Sequence, residues 1–329
     1  MRLILLALLT FLLFLANIFF GAIDIPFSEV WGILTGSGSA DEALNYIVIG
    51  SRLPQAVTAL LAGAALASSG LMLQTVFRNP LAGPSILGIT SGASLGVALV
   101  LLLFGGMITI GSESIGGNLA VTVGGLAGSF LVMGMLIGLS ARIRSNLTLL
   151  IAGMMTGYLA SSLVTLLSSI STARGIQSYI MWGMGTFAGV SMERLPWFAI
   201  LTLTGLLLSM LLAKPLNLLL LGDNYAANLG VNVNRVRHML LIATGLLSAV
   251  VTACCGPIGF IGLAMPHIAR LLFRTDDHLV LMPATMLCGA VLALACNLAS
   301  VLPDGNVIPI NALTPLAGVP VVLYVILKK

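Results

Sequence analysis

PQAVTALLAGAALASSGLMLQTV, residues 54–76, contains no charged side chain. A helix needs about 20 predominantly apolar residues to cross the hydrocarbon of a bilayer, and this run is long enough. It is one of many such runs. Of 329 residues, 59% are hydrophobic and 7% are charged, against roughly 25% charged in a soluble domain. So few charges cannot cover a folded particle in water, and the chain is expected to be an integral membrane protein. The 14 Lys and Arg residues are scattered singly or in pairs, which excludes the basic stripe of a nucleic-acid binder. The apolar runs are continuous, whereas the strands of a porin-type barrel alternate apolar and polar positions.

Ten apolar segments follow in order: 3–20, 54–76, 85–104, 119–139, 147–170, 195–212, 239–255, 258–273, 280–298 and 313–327. The eighth contains Pro266 and the last contains Pro315 and Pro320, so either is open to being tilted or broken. Segment 176–190, between Arg174 and Glu193, reads as a short surface or re-entrant helix. The first segment has an apolar core longer than a signal peptide's, with no convincing cleavage site, and reads as an uncleaved span.

Basic residues set the orientation. Ten spans with both ends inside put Arg2, Arg78, Arg142, Arg144, Lys214, Arg235, Arg237, Arg270, Arg274, Lys328 and Lys329 on the inner side, and only Arg52, Arg174 and Arg194 outside. Both termini are therefore expected in the cytoplasm. Glycines four residues apart, as at 88/92/96, 124/128, 134/138 and 153/157, let helix backbones approach closely in lipid.

Several chemistries are missing. No charge is expected deep within a span, where ion-coupled carriers usually keep one. This weighs against a secondary carrier, while leaving open one that binds sodium through backbone carbonyls. None of Lys214, Lys328 and Lys329 follows a glycine, so there is no P-loop. There is no H-E-x-x-H, and Cys254, Cys255, Cys288 and Cys296 lack metal-ligand spacing. No catalytic residue, metal ligand or bound cofactor is assigned. His267, beside Pro266, is read as capping or hydrogen-bonding a broken helix. The internal loop 214–238, KPLNLLLLGDNYAANLGVNVNRVRH, is polar around a short helix that starts at Asp223 and closes at Gly230. With Ala226 and Ala227 on its face it reads as a docking knob for a soluble partner, or as a mere connector.

The chain resembles the FecCD family of type II ABC importer permeases. The resemblance rests on SRLPQAVTALLAGAALASSG (51–70), QTVFRNPLAGPSILGITSGA (74–93), LLIAGM (149–154), LLGDNYAANLGV (220–231), GPIGFIGLAMPHIARLL (256–272) and TPLAGVPVVLYVIL (314–327), which lie in order along nearly the whole length. It implies a single all-α permease domain, 1–329, of about ten transmembrane helices in the bacterial inner membrane. It further implies a homodimer, two cytoplasmic ATPases that hold ATP and Mg, and an outer or periplasmic binding protein. The cargo would be a metal chelate, with ferric siderophore first, then haem or cobalamin.

By motif match, Asp223, Ala226, Leu229 and Gly230 would couple to the ATPase. Asn79, Leu81, Asn146 and Leu147 would form a cytoplasmic gate, and Gly153 and Gly157 would line the pathway. Arg52, with Arg174 or Arg194, would meet acids of the binding protein. The chain departs from the family at Gln55, Asn297 and Ser300, where charged residues are common, and at Asn311, where Gly is common. Met154, Met155, Met181, Met184 and Met192 cluster near the fifth span and suit either packing or a large flat ligand. The competing reading is an ion-coupled secondary carrier with no ATPase partner.

Overall fold

The computed structural model describes residues 1–36, 41–110, 113–143, 145–301 and 308–327. Arg144, Lys328 and Lys329, used above for orientation, lie outside the described residues. The helices are α1 (Arg2–Phe19), α2 (Phe27–Leu34), α3 (Glu42–Asn45), α4 (Leu53–Phe77), α5 (Ile89–Ala98), α6 (Gly117–Arg142), α7 (Asn146–Ile170) and α8 (Ala173–Gly183). They continue with α9 (Leu195–Leu211), α10 (Ala213–Leu220), α11 (Asp223–Asn228), α12 (Val233–Cys255), α13 (Ile261–Phe273), α14 (His278–Ser300) and α15 (Ile310–Leu327). A short antiparallel hairpin pairs Met107–Ile110 with Glu113–Gly116, Met107 opposite Gly116.

Among the described residues, six helical runs are long and apolar enough to cross a bilayer: α1, the continuous stretch Glu42–Phe77, α6, α7, α12 and α14. The pair α9–α10, bent by 45°, makes a seventh if it is one span. The shorter apolar helices Ile89–Leu103, Ile261–Phe273 and Ile310–Tyr324 fall on the three remaining segments. Pro266 does not break α13, which runs through it. Segment 176–190 is shorter as a helix than expected and begins earlier, at Ala173.

The segment 54–76 is the core of the molecule. α4 packs against α1, α9, α12, α13 and α14, and from Leu61 to Phe77 every residue is buried. Its small residues make this possible. A Cβ placed on Gly63 would overlap the Gly289 carbonyl of α14, and one on Gly70 would overlap the Gly262 carbonyl of α13. With no side chain between them, the backbones gain dispersion contacts that lipid cannot supply. The same device joins α5 to α6, where Gly92 meets Gly128 and Gly96 meets Gly124. Gly134 and Gly138 depart from the expectation: nothing lies within 4 Å of a Cβ at either.

Candidate functional site

Basic residues converge at one end of the bundle, called here the basic end. Arg2 donates to the Leu272 carbonyl at 2.7 Å, Arg78 and Arg237 meet at Asp223, and Arg270 lies 3.4 Å from Asp276. The expected coupling and gate residues gather there. Gly222, with φ +115°, turns the chain after α10 and α11 begins at Asp223. Asp223 does not cap α11. Its Oδ1 accepts from Arg78 Nη2 at 3.1 Å and its Oδ2 from Arg237 Nη2 at 3.5 Å. Gly230 closes the turn at φ +86°, where a residue without Cβ is unstrained.

The exposed face of α11 is only partly the one expected. Ala227 and Leu229 are exposed as expected, but Ala226 is fully buried, and Tyr225 projects beside them, with Leu221 just before. A side chain of one methyl packs inward, while the larger Tyr225, about which the small-residue pattern is silent, projects.

Beside this helix lies the expected gate. Arg78 ends α4 in the left-handed conformation, φ 46°. Asn79 Oδ1 then accepts the Leu81 N–H at 2.9 Å, an Asx turn within the connector. Asn146, the first residue of α7, donates from Nδ2 to the Val76 carbonyl at 2.8 Å and so ties α7 to the end of α4. Leu81 and Leu147 are exposed. His267 does not cap its own helix: its Nε2 lies 2.8 Å from the Pro80 carbonyl, which fixes Nε2 as the protonated nitrogen and holds α13 to the connector.

Further polar links knit this end and were not legible from sequence. Gln74 accepts from Arg270 at 2.8 Å and donates to the Leu263 carbonyl at 3.1 Å. Buried His278 bridges Thr75 Oγ1 and Asn217 Oδ1, each at 2.8 Å. Asp277 caps α14 by accepting the Leu279 N–H at 2.9 Å. That bond comes first among the causes that hold its carboxyl below the ordinary carboxylate range, followed by the Asn217 amide.

Two expectations are corrected here. Gly153 and Gly157 do not face an opening: both are buried, against Leu87 in one case and Ser91 and Gly88 in the other. The open face of α7 is instead an apolar row that includes Leu147, Ile151, Met155, Tyr158 and Leu166. Arg52 is not an outward cation. It is 6% exposed, and its guanidinium donates to the carbonyls of Ile18, Phe19 and Ile23. Two of these carbonyls end α1, where a helix leaves acceptors without partners and favours a cation. Arg174 and Arg194 remain at the surface, exposed and half-buried.

The departures from the family pattern are neutral and mutually bonded. Gln55 Nε2 donates to Asn297 Oδ1 at 2.9 Å, and Asn297 Nδ2 donates to Asn17 Oδ1 at 2.7 Å. Ser300 Oγ donates to the Asn297 carbonyl at 2.7 Å. Asn311 donates to the Gly183 carbonyl at 2.8 Å and its Oδ1 accepts the Gly259 N–H at 3.3 Å. Its side chain thus adds, at the end of α8 and at the loop around Gly259, bonds that a glycine could not make beyond the backbone bond from residue 311 to the Met184 carbonyl.

At the end opposite the basic one, a cavity of about 660 Å³ is lined by Asn118, Thr122, Gln177, Met181, Trp182 and Cys254 among others, none charged. Of the cysteines, Cys255, Cys288 and Cys296 are buried and Cys254 is half-buried; all are free. Among the described residues no group of His, Cys, Asp and Glu is arranged to hold a metal.

The sequence profile of the FecCD transport family matches residues 8–328. The vitamin B12 import system permease protein BtuC of Klebsiella pneumoniae subsp. pneumoniae is 37% identical over 279 residues, which cover 84% of this chain and 81% of that protein. BtuC of Salmonella typhi is 36% identical over the same length. A solved structure described as a metal-chelate type ABC transporter in an inward-facing conformation superposes with a TM-score of 0.86 at 31% identity, and covers 99% of each chain.

Proposed function

This chain belongs to the FecCD transport family, and from that premise we propose that it is the multi-pass membrane subunit of an ATP-driven importer for a bulky metal chelate. It works as a homodimer with two cytoplasmic ATPase chains, which carry the ATP and Mg, and with an external binding protein that delivers the cargo. The basic end faces the cytoplasm, as the distribution of Lys and Arg argues, and the membrane is the bacterial inner membrane.

The observation that carries this reading is the exposed α11 knob, Tyr225 and Leu229, bound through Asp223 to the connector that holds Asn79 and Leu81. A partner that moves the knob moves the gate with it. Such coupling has a driving force because the ATPase's nucleotide-bound and free states make different contacts with α11. The apolar row of α7 is the face where two copies meet and enclose the pathway.

Cobalamin is the first cargo to test, because the two relatives above import vitamin B12 and align along most of this chain. Ferric siderophore comes second. The uncharged lining of the outer cavity suits a permease that passes its cargo on without holding it tightly. Arg174 and Arg194 take the binding-protein contacts from which Arg52 is withdrawn.

The test is purification in mild detergent through a terminal tag, followed by mass spectrometry of what accompanies the chain. A soluble P-loop ATPase in about equal amount, together with ATP-dependent uptake of cobalamin into vesicles, is the expected result. Uptake that follows an ion gradient in the absence of any ATPase would turn the assignment to a secondary carrier.

A further inference from the structure

We propose that Arg78 is the strut through which a displacement of α11 reaches the gate, a positioning role that rests on the importer reading above. Asp223 sits between two guanidinium groups of different character. Arg237 belongs to α12 and its side chain is 5% exposed, so it anchors the carboxylate from within the bundle. Arg78 is 54% exposed and occupies the left-handed turn that ends α4, immediately before Asn79.

A pull on the Arg78 side chain acts on a short piece of backbone held by several hydrogen bonds. The Asn79 N–H donates to the Gln74 carbonyl at 3.2 Å, and the Ala82 N–H to the Asn79 carbonyl at 3.0 Å. Asn79 Oδ1 holds Leu81, and the Pro80 carbonyl is held by His267. Leu81 therefore cannot lag behind Arg78. The link spans 145 residues of sequence in one ion pair.

An exposed pair of this kind contributes little to folding, about 0–1 kcal/mol, so stability does not explain it. Two features point to a working part. Arg78 closes α4 in the left-handed conformation, φ 46°, a helix end that ties its backbone directly to the first residue of the connector. The pair also borders an open depression of Arg78, Leu221, Gly222, Asp223, Asn224, Tyr225 and Asn228 at the α11 surface. An ATPase docked on α11 would exclude water there and strengthen the attraction at the moment force is applied.

The experiment uses the whole complex, this chain with its ATPase and binding protein, in proteoliposomes, with cobalamin uptake and ATP hydrolysis measured on the same vesicles. In Arg78→Gln the ATPase stays bound and hydrolysis persists, while uptake per ATP falls about tenfold, the size of a typical coupling free energy. Arg78→Lys keeps the cation and restores most of the ratio. Tyr225→Ala, on the docking face, instead loses the ATPase. Because Arg78 is exposed, melting of Arg78→Gln close to wild type is expected. An unchanged uptake-to-ATP ratio in Arg78→Gln overturns the proposal. So does loss of the ATPase from that variant, which would make Arg78 a docking contact. Failure of the importer reading is seen separately, in a wild-type arm that transports without ATP.

Discussion

Arg52 illustrates how one side chain changes meaning between sequence and fold. As an outer-loop cation it would act in a salt-dependent contact; as a buried donor to three carbonyls it holds α1 to the start of α4. Arg52→Glu removes those donors and buries an anion beside carbonyl oxygens, so it is expected to cost about 3 kcal/mol or more. The expected readout is early thermal aggregation in detergent that is the same at low and high salt; a purely salt-sensitive loss of binding-protein affinity with normal melting would contradict it. Asp223→Ala has a comparable consequence at the other end. It leaves the buried Arg237 guanidinium without its half-exposed carboxylate, a loss of about 1–3 kcal/mol, and should lower the melting temperature more than Arg78→Gln does. Asp277 gives a pH signature. Its carboxyl is held below the ordinary range by the Leu279 N–H and the Asn217 amide. Its contribution to stability is therefore present above the ordinary carboxylate value and is lost as pH falls through its own lower one. The difference in melting temperature between wild type and Asp277→Ala should shrink as pH drops below about 4.

Among the elements, the glycine pairs decide which helices can touch. Gly96→Val forces a side chain into the Gly124 carbonyl and is expected to destabilise by about 3 kcal/mol or more through overpacking. Gly134→Val, with open space around it, should be near neutral and serves as the control; equal expression and melting for the two variants would contradict this packing account. The same contrast marks the limit of reading this chain by eye. The helices themselves were legible because an uncharged apolar run has few other folds available in lipid. Which face of a helix turns inward was not, since α4 is small and apolar all round. Thus Gly153 and Gly157 share their spacing with packed and unpacked pairs alike, and only the position of α5 separates them. The π-helical turn Tyr46–Arg52 that extends α4, and the helix α2, were missed because they precede the apolar run and carry polar residues.

On the scale of the whole molecule, the apolar row of α7 is one of several exposed apolar helix faces, with those of α1 and α9. Leu166 is 64% exposed and Ile170 74%, and a second copy of the chain is the occupant proposed above. Tyr158→Lys at the middle of that row should convert a dimer to monomers, as read by native mass spectrometry in detergent; a dimer of unchanged stability would move the interface elsewhere. The site was legible in part for a physical reason. The Asp223 loop stood out as a polar stretch in an apolar chain, whereas Asn79 was expected only through the family resemblance. Arg78, Gln74, His278 and Asn217 did not stand out, because their partners lie on helices distant in sequence. The buried and half-buried state of the four cysteines has a practical bearing on watching this machine at work. Thiol-reactive dyes or spin labels on cysteines introduced at Leu81 and at the exposed Asn228 of α11 would meet little competition from the native thiols. The opening of the gate could then be timed against the motion of α11 in a chain that needs few, if any, background substitutions.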